Sequence, residues 1–282
     1  MTDDDSGDDA ASGAGIPDAG ISGDGDRLLA VDGLRKTFGG LAAVDGASFD
    51  VEAGTITGLI GPNGAGKSTT FDCLTGFHEP DGGHVVFDGE DVTGMAPYAV
   101  ADRGLVRTFQ IARELGGMTV LENLMLAPRG QRGESALRSV LPGAWGRGGV
   151  REQETALRER VWATLDRFDL DHLAREPAAN LSGGQLKLLE LARALLVDPT
   201  MLLLDEPFAG VNPTLERRLL DRLHALRDDG LTMLLVEHDV ELVMAHCDRV
   251  IVMHRGDVLA EGPPEEVRDD ARVIEAYLGG EV

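Results

Sequence analysis

The sequence predicts an α/β fold built around a largely parallel sheet. Two continuous apolar runs, MLLLDEP at 201–207 and TMLLVEHD at 232–239, are typical of strands that are buried on both faces of such a sheet. The segment between them, Pro213 to Asp229, has helical character and a proline in its first turn. A glycine-rich stretch, GPNGAGKST at 61–69, separates a further strand from a helix. This alternation of strands and helices indicates an α/β architecture.

The other elements follow from apolar runs, turn residues and helical periodicity. In the first half, the predictions are two strands in ASFDVEAGTITGLIG (47–61) with a turn at Ala53-Gly54, a helix from Lys67 to Gly76, an edge strand at HVVFDG (84–89) and a short helix from Val120 to Leu126. In the second half, a helix is predicted from Arg151 to Phe168. Its apolar face consists of Leu157, Val161, Leu165 and Phe168.

The acidic composition narrows the possible functions. Asp and Glu total 49 against 26 Lys and Arg, the formal net charge is −23, and the lysines are Lys36, Lys67 and Lys187 alone. Because acidic residues are spread along the whole chain, we favour an adaptation to high salt over one acidic tail on an ordinary protein. At about 1 M salt the screening length is roughly 3 Å, which removes most of the self-repulsion. Binding to nucleic acid is disfavoured, since it relies on Lys and Arg.

Two segments differ from the rest of the chain. Residues 1–26 contain little to bury and predict an acidic, disordered tail, so the folded domain is expected at 27–282. The segment 128–151 is rich in glycine and carries five arginines against one glutamate. It is either a docking surface for a partner or for lipid headgroups, or a mobile, solvated insertion. The start lacks signal-peptide features and no apolar run approaches the roughly 18 residues of a membrane span, so we expect a soluble, cytoplasmic chain.

The stretch GPNGAGKST fits the pattern G-x-x-x-x-G-K-[ST], and its place between a strand and a helix is that of a phosphate-binding P-loop. Its glycines let backbone amides curl around phosphates. Lys67 reaches the β- and γ-phosphates, and Ser68 supplies a hydroxyl to Mg²⁺. The residues predicted to bind nucleotide in this loop are Gly61, Asn63, Gly64, Gly66, Lys67, Ser68 and Thr69.

Polar residues follow three other predicted strands. Asp205, in the Walker B strand MLLLD, is placed to hold Mg²⁺ through water, and Glu206 is a candidate general base for an attacking water. Gln110 in RTFQ and His238 in VEHD end strands that we expect to lie beside the P-loop. Ligands of open α/β sheets bind at the carboxyl ends of the strands. We therefore predict that both residues sense the γ-phosphate and Mg²⁺, with catalytic roles beside Glu206 and a metal contact from Gln110.

A second anion site is predicted far from the P-loop in sequence. NLSGGQLKLLELARALL at 180–196 predicts a helix with Ser182 as its N-cap and Gln185 completing a capping box. Gly183 and Gly184 leave the first backbone N–H groups uncovered by side chains. A bare helix N-terminus of this kind binds anions.

In the order P-loop, RTFQ, LSGGQ, LLLDEP and EHD, these motifs resemble the ATPase subunit of ABC transporters from Leu28 to about Gly280. The resemblance implies a P-loop NTPase fold with a RecA-like core, an antiparallel β subdomain and a helical signature subdomain. With the insertion, the helical part covers about 111–195. The resemblance also implies that two chains pack head to tail around two ATP molecules. The residues that then contact the γ-phosphate on the second chain's P-loop are Ser182, Gly183, Gly184 and Gln185.

Longer stretches resemble the branched-chain amino-acid uptake ATPases of bacteria and archaea, and the acidic composition resembles that of a halophilic archaeon. These stretches are RTFQIARELGGMTVLENLMLA, DEPFAGVNP, LLVEHDVELVM and VIEAYLG. By this resemblance, Phe38 stacks on adenine. Asn212 stands where most ABC proteins have the D-loop aspartate, and the branched-chain group commonly has asparagine there.

The resemblance implies ATP and Mg²⁺ as cofactors, and ATP hydrolysis that powers uptake through separate transmembrane subunits at the cytoplasmic face of the membrane. The expected partners are permease subunits, an extracellular substrate-binding protein and a second ATPase chain, identical or related, with no nucleic acid. The ATPase of a urea or short-chain amide importer is the first alternative. Others are a non-transport ABC ATPase, an exporter ATPase and a module that binds ATP without hydrolysing it. Glu206 and His238 argue against the last.

Overall fold

A six-stranded sheet forms the centre of the structure, a computed structural model that describes residues 27–108, 115–128 and 144–278. The predicted tail 1–26, Gln110 and residues 129–143 of the arginine-rich segment lie outside the described residues. The strands are β1 (Arg27–Phe38), β2 (Leu41–Glu52), β3 (Ile56–Ile60), β4 (Gly82–Phe87), β5 (Glu90–Asp91), β6 (Leu105–Arg107), β7 (Met201–Asp205), β8 (Thr232–Val236), β9 (Arg249–His254) and β10 (Asp257–Gly262). The helices are α1 (Lys67–Leu74), α2 (Pro97–Asp102), α3 (Val120–Met125), α4 (Ala144–Arg167), α5 (Gly183–Leu195), α6 (Pro213–Asp228), α7 (Val240–His246), α8 (Pro264–Arg268) and α9 (Ala271–Leu278).

The parallel strands of the central sheet end at one level. The strand order is β10-β9-β3-β8-β7-β6, and every pairing is parallel except that of β10 with β9. Leu59 on β3 lies opposite Val236 on β8, which in turn lies opposite Asp205 on β7. The segments that follow β3, β7 and β8 therefore leave the sheet side by side, at the edge where open α/β sheets bind ligands.

Alternate residues of the central sheet belong to two separate cores, as expected for strands whose successive side chains point to opposite faces. On one face, Ile60, Leu204 and Leu235 pack with helices α3 to α9. On the other face, Leu59 and Leu203 pack with β1, β2, β4 and α1. The molecule is thus layered, with a small antiparallel sheet, α1 and α2 on one side of the central sheet and helices α3 to α9 on the other.

The predicted helices are confirmed, with shifts of one or two residues at most ends and a much earlier start for α4. Helix α1 ends at Leu74 rather than Gly76, and α4 begins at Ala144, so the end of the arginine-rich segment is helical. Most of the predicted apolar face is buried: Val161, Leu165 and, just after α4, Phe168 each expose at most 1% of their surface, while Leu157 is half-buried against the same core.

Two predictions about strand position are wrong. The stretch HVVFDG is not an edge strand, because a tight turn at Asp88-Gly89 brings β5 to pair with β4 on the side away from β1. Both turn residues have positive φ, as a two-residue hairpin turn requires. Strand β6, which leads to Gln110, pairs only with β7 within the described sheet, so β7 and β8 separate it from the P-loop strand β3. The prediction for β8 holds, because β8 pairs directly with β3.

Candidate functional site

The P-loop joins β3 to α1 and leaves the first turn of that helix without a side-chain cap. Gly66 is the N-cap residue, with a φ of 104°. A Cβ atom on Gly66 would lie 2.4 Å from the carbonyl oxygen of Ala43 on β2, and one on Gly61 would lie 2.2 Å from the carbonyl oxygen of Met253. Glycine is therefore required at both positions, and the open N–H groups at the start of α1 form a site suited to phosphate.

Lys67 lies at the base of this loop. Its Nζ atom donates hydrogen bonds to the carbonyl oxygens of Gly61 at 2.7 Å and Pro62 at 3.2 Å. Burial lowers the pKa of Lys67, and the nearby charge of Glu206 partly opposes this effect. Of the other predicted P-loop ligands, Asn63, Gly64 and Ser68 are exposed, Gly66 and Thr69 are half-buried, and Gly61 is buried.

Glu206 and His238 meet where β7 and β8 end. Oε1 of Glu206 lies 2.8 Å from Nε2 of His238. Glu206 has a φ of 47°, which is uncommon for a residue with a side chain, and its backbone N–H donates to the carbonyl oxygen of Val236 at 3.0 Å. A main-chain bond and a side-chain bond thus hold the candidate general base in its turn.

A buried carboxylate beside this pair links the segments after β7 and β8. The Glu237 carboxylate accepts hydrogen bonds from the backbone N–H of Phe208 at 2.8 Å and of His238 at 3.2 Å. Burial raises the pKa of Glu237 despite these bonds. Because it joins the two neighbouring segments, Glu237 helps to fix His238 relative to Glu206.

Asp205 is buried and paired with an arginine. Nη2 of Arg107, at the end of β6, lies 2.6 Å from Oδ2 of Asp205, and Nη1 lies 2.5 Å from Oδ1 of Asp72 on α1. Burial opposes the charge of Arg107, but hydrogen bonds to the two carboxylates outweigh this and raise the pKa of Arg107. This contact brings the end of β6 to α1 although β6 is the outermost strand.

The LSGGQ motif begins α5 as predicted. Oγ of Ser182 accepts from the N–H of Gln185 at 3.3 Å, and Oε1 of Gln185 accepts from the N–H of Ser182 at 2.8 Å, which completes the capping box. A Cβ atom on Gly184 would lie 1.5 Å from Cδ2 of Leu215, so Gly184 lets α5 pack against α6. Ser182 and Gly183 are exposed, and the space around Gly183 is open.

One turn into α5, Lys187 connects this motif to the candidate general base. Its Nζ atom donates to the carbonyl oxygen of Glu206 at 2.8 Å. The same helix that carries LSGGQ therefore also holds the backbone of Glu206 in its own chain.

Phe38 is 44% exposed at the end of β1. Its ring makes an edge contact with His78, with centroids 5.2 Å apart, and Nζ of Lys36 lies 5.6 Å from its centroid. Phe38 pairs with Leu41 on β2, the strand that carries Ala43 past the P-loop. Its stacking on adenine stays a prediction.

Asn212 is the N-cap of α6. Its Oδ1 atom accepts from the N–H groups of Thr214 and Leu215, both at 3.1 Å. The asparagine at the D-loop position therefore has a local role, which aspartate could also fill.

A nucleotide with Mg²⁺ fits this edge of the sheet. The uncapped start of α1 and the Lys67 ammonium suit phosphates, while the exposed Ser68 hydroxyl and the Asp205 carboxylate offer the oxygen ligands that Mg²⁺ prefers. Among the described residues, no group of three or more His, Cys, Asp or Glu side chains could hold a metal ion. Mg²⁺ in nucleotide sites typically takes one or two protein ligands and completes its shell with phosphates and water.

A helix that spans a membrane must be long and apolar. None of the helices in the described part of the chain has the length and apolar character needed to cross a membrane.

Comparison with known proteins agrees with this geometry. A model of the family described as ABC transporter matches residues 44–209, which is more than half of the chain. The chain belongs to the ABC transporter ATP-binding family. Within this ABC chain, a second model, described as branched-chain amino acid ATP-binding cassette transporter, matches residues 258–282.

Curated relatives match the ABC chain over most of its length. It is 44% identical over 255 residues to the probable branched-chain amino acid transport ATP-binding protein LivG of Archaeoglobus fulgidus, covering 90% of this chain and 96% of the relative. It is 41% identical over 253 residues to the high-affinity branched-chain amino acid transport ATP-binding protein BraF of Pseudomonas aeruginosa, covering 89% of this chain and 98% of the relative.

Solved structures confirm the predicted ABC ATPase fold. A nucleotide-free ATP-binding cassette from an ABC transporter, 38% identical, has a TM-score of 0.76 and covers 89% of this chain and 98% of its own. Another such cassette in its ADP conformation, 37% identical, has a TM-score of 0.75 and covers 90% and 99%. As a member of this family, the ABC chain is a nucleotide-binding ATPase subunit of a transporter.

The sequence did not point to three residues of the ABC site. Arg107, Lys187 and Glu237 hold Asp205, Glu206 and the segment around His238. A signal existed for Lys187, because it is one of three lysines in a chain that otherwise uses arginine. Arg107 and Glu237 lie inside the RTFQ and VEHD motifs but carry no spacing signal of their own.

Proposed function

We propose that this ABC chain hydrolyses ATP to power the import of branched-chain amino acids through separate permease subunits. The observation that carries the substrate assignment is the match of residues 258–282 to the branched-chain family, outside the region matched by the general ABC family. Relatives named for branched-chain amino acid transport, at 44% and 41% identity, support the same assignment.

Each residue of the site has a role in hydrolysis under this proposal. When bound, ATP supplies the phosphoryl group that is cleaved and Mg²⁺ neutralises its charge. Lys67 and the amides at the start of α1 bind the β- and γ-phosphates. Ser68 would hold the metal directly and Asp205 through water, with Gln110 as a further ligand, and Phe38 would stack on the adenine. Glu206 takes the proton of the attacking water, and His238 orients Glu206 and contacts the γ-phosphate.

The LSGGQ motif serves the nucleotide of a second chain in this proposal. Ser182 and Gly183 are exposed at an uncovered helix N-terminus, while the Gln185 side chain bonds within the capping box. The α5 amides are therefore open to a γ-phosphate held by the P-loop of a second copy or a related ATPase. ATP binding would close this dimer, and hydrolysis would remove the group that joins its halves.

ATP-binding subunits of ABC importers work with membrane permease subunits. We place the chain on the permeases at the cytoplasmic face of the membrane, in a system with an extracellular substrate-binding protein. The acidic composition supports a salt-accumulating, halophilic source.

Reconstitution of the whole transporter tests the substrate. Permease subunits, binding protein and this chain are assembled in proteoliposomes with ATP on the side of the ATPase, and uptake of labelled leucine, urea and acetamide is measured. We expect leucine uptake that requires ATP and disappears with Glu206→Gln. Uptake of urea or acetamide instead of leucine would assign the alternative substrate class. ATP hydrolysis that no permease subunit alters would indicate a non-transport ATPase.

The net charge of −23 leads to a prediction about salt. Below roughly 0.5 M KCl, weaker screening of like charges is expected to lower the melting temperature by about 5 °C or more. Calorimetric melts across a KCl series provide the measurement. A melting temperature that is constant, or that rises on dilution, contradicts the halophilic interpretation.

A shortened chain separates the two explanations of the acidity. Deletion of residues 1–26 removes eight aspartates and no basic residue. If the charge spread along the domain matters, the shortened chain keeps the salt dependence of the full chain. If the salt dependence disappears with the tail, the acidic-tail alternative is correct.

A further inference from the structure

Arg107 connects three parts of the site. Its guanidinium joins Asp205 at the end of β7 to Asp72 on α1, with N–O distances of 2.6 and 2.5 Å. The guanidinium carbon lies 5.8 Å from the ring centroid of Phe71 and 5.9 Å from that of Phe77. The arginine side chain is 14% exposed, so two carboxylates and two aromatic rings hold it in one place.

Asp205 requires a cation in this position. Its side chain is 6% exposed, and a buried carboxylate without a positive partner is strongly destabilising. Arg107 supplies the partner. Its planar fork reaches Asp72 with the second nitrogen, a fixed two-point geometry that the single ammonium nitrogen of a lysine does not have.

The same carboxylate is the one to which the proposed function assigns Mg²⁺. A guanidinium and a divalent cation at one carboxylate repel each other, and at the effective dielectric constant of a protein this repulsion is substantial at a separation of a few ångströms. In a chain without Arg107, the carboxylates of Asp205 and Asp72 would lie close together without a cation between them, since one guanidinium contacts both in the native chain. Such a pair attracts a divalent cation even when no nucleotide is bound.

We propose that Arg107 is a positioning residue that holds Asp205 while Mg²⁺ is absent and competes with Mg²⁺ for this carboxylate. The proposal rests on the Mg²⁺ site of the proposed function. It means that the metal binds well only together with nucleotide, because the phosphates add the negative charge that overcomes the competition of Arg107.

Arg107→Met tests the competition without measuring ATP turnover. With a non-hydrolysable ATP analogue present, the free Mg²⁺ concentration that gives half of the maximal rise in melting temperature is expected to fall about tenfold relative to the native chain. Without nucleotide, Mg²⁺ is expected to stabilise the variant by several degrees but not the native chain. KCl is adjusted so that ionic strength is equal in all samples. A merely structural role would lower the melting temperature equally at every Mg²⁺ concentration, and that result would overturn the proposal.

Arg103→Met is the matched control. Arg103 lies four residues earlier and pairs with Glu90 at 2.7 Å on the surface, so its loss is expected to leave the Mg²⁺ response unchanged. A shift in Arg103→Met equal to that in Arg107→Met would overturn the proposal, because it would show a general effect of removing positive charge.

Two further variants keep the outcome clear. Asp205→Asn is expected to lose most of the Mg²⁺ response. If it responds as the native chain does, the Mg²⁺ site of the proposed function is wrong. If it loses the response while Arg107→Met shows no shift, only the role of Arg107 is wrong.

Arg107→Lys replaces Arg107→Met if the methionine variant fails to fold. It keeps the charge but not the fork, and we expect the half-saturating Mg²⁺ concentration to fall by about threefold. An unchanged half-saturating Mg²⁺ concentration in Arg107→Lys would then overturn the proposal.

Discussion

Replacement of Glu206 by glutamine is expected to preserve ATP binding and to slow ATP hydrolysis by about 10²- to 10⁴-fold. Glutamine has the length of glutamate, and its Oε1 atom can still accept a hydrogen bond from Nε2 of His238, which lies 2.8 Å from Oε1 of Glu206. The backbone bonds of residue 206 to Val236 and Lys187 do not involve the side chain. The substitution therefore removes the proton acceptor and leaves its surroundings in place.

Phosphate release and size-exclusion chromatography in the presence of ATP and Mg²⁺ measure the two halves of this prediction. Because closure of the dimer needs binding but its opening needs hydrolysis, Glu206→Gln is expected to elute as a dimer with ATP. Glu241→Gln is the control, since Glu241 is exposed in the first turn of α7 and should leave the rate unchanged. Glu206→Gln with the native rate, or eluting as a monomer with ATP, would contradict the assigned role.

Fold features that depend on local sequence were predictable. Strands β7 and β8 are buried at every position, so they read as continuous apolar runs. The start of α5 was predictable because a capping box needs only Ser182 and Gln185 at the right spacing. The position of β6 in the sheet was not predictable, because β6 has three residues and pairs with one strand. So short a segment carries no sequence signal for which strand it pairs with. The hairpin at Asp88-Gly89 does have a local signal, since Asp-Gly favours a two-residue turn, and an edge-strand assignment for HVVFDG ignores that signal.

The residues of the site likewise fall into those that a sequence motif indicates and those that only the structure reveals. Motif spacing indicated Lys67, Asp205 and His238, because each belongs to a short pattern with known chemistry. The residues that hold them make contacts over long separations. Arg107 reaches Asp205 across 98 positions, and a sequence pattern contains no information about such a pair.

Replacement of Ser182 by arginine is expected to lower ATP hydrolysis about 10²-fold or more, although the P-loop of the same chain is unchanged. Arginine would remove the capping box and place a long side chain over the exposed start of α5. If LSGGQ acts on the nucleotide of a second chain, a Ser182→Arg chain mixed with a Lys67→Ala chain forms a heterodimer with one intact site. That site pairs the P-loop of the first chain with the LSGGQ of the second. Activity should return, up to about half of the native value per heterodimer if the two sites act independently.

Crosslinking tests the same geometry without turnover. One chain carries Ser182→Cys and the other Asn63→Cys, at two exposed positions, after a nucleotide-induced rise in melting temperature has shown that both bind ATP. The native thiols are poorly reactive, because burial raises the pKa of Cys73 to about 11 and that of Cys247 to about 12. We expect a disulfide between the two chains only with ATP. Ala225→Cys in place of Ser182→Cys is the control, exposed near the far end of α6 and expected to give no crosslink. A chain that carries both cysteines provides the opposite test. An ATP-dependent crosslink within that chain, and none between chains, would contradict the head-to-tail dimer and the transport mechanism built on it.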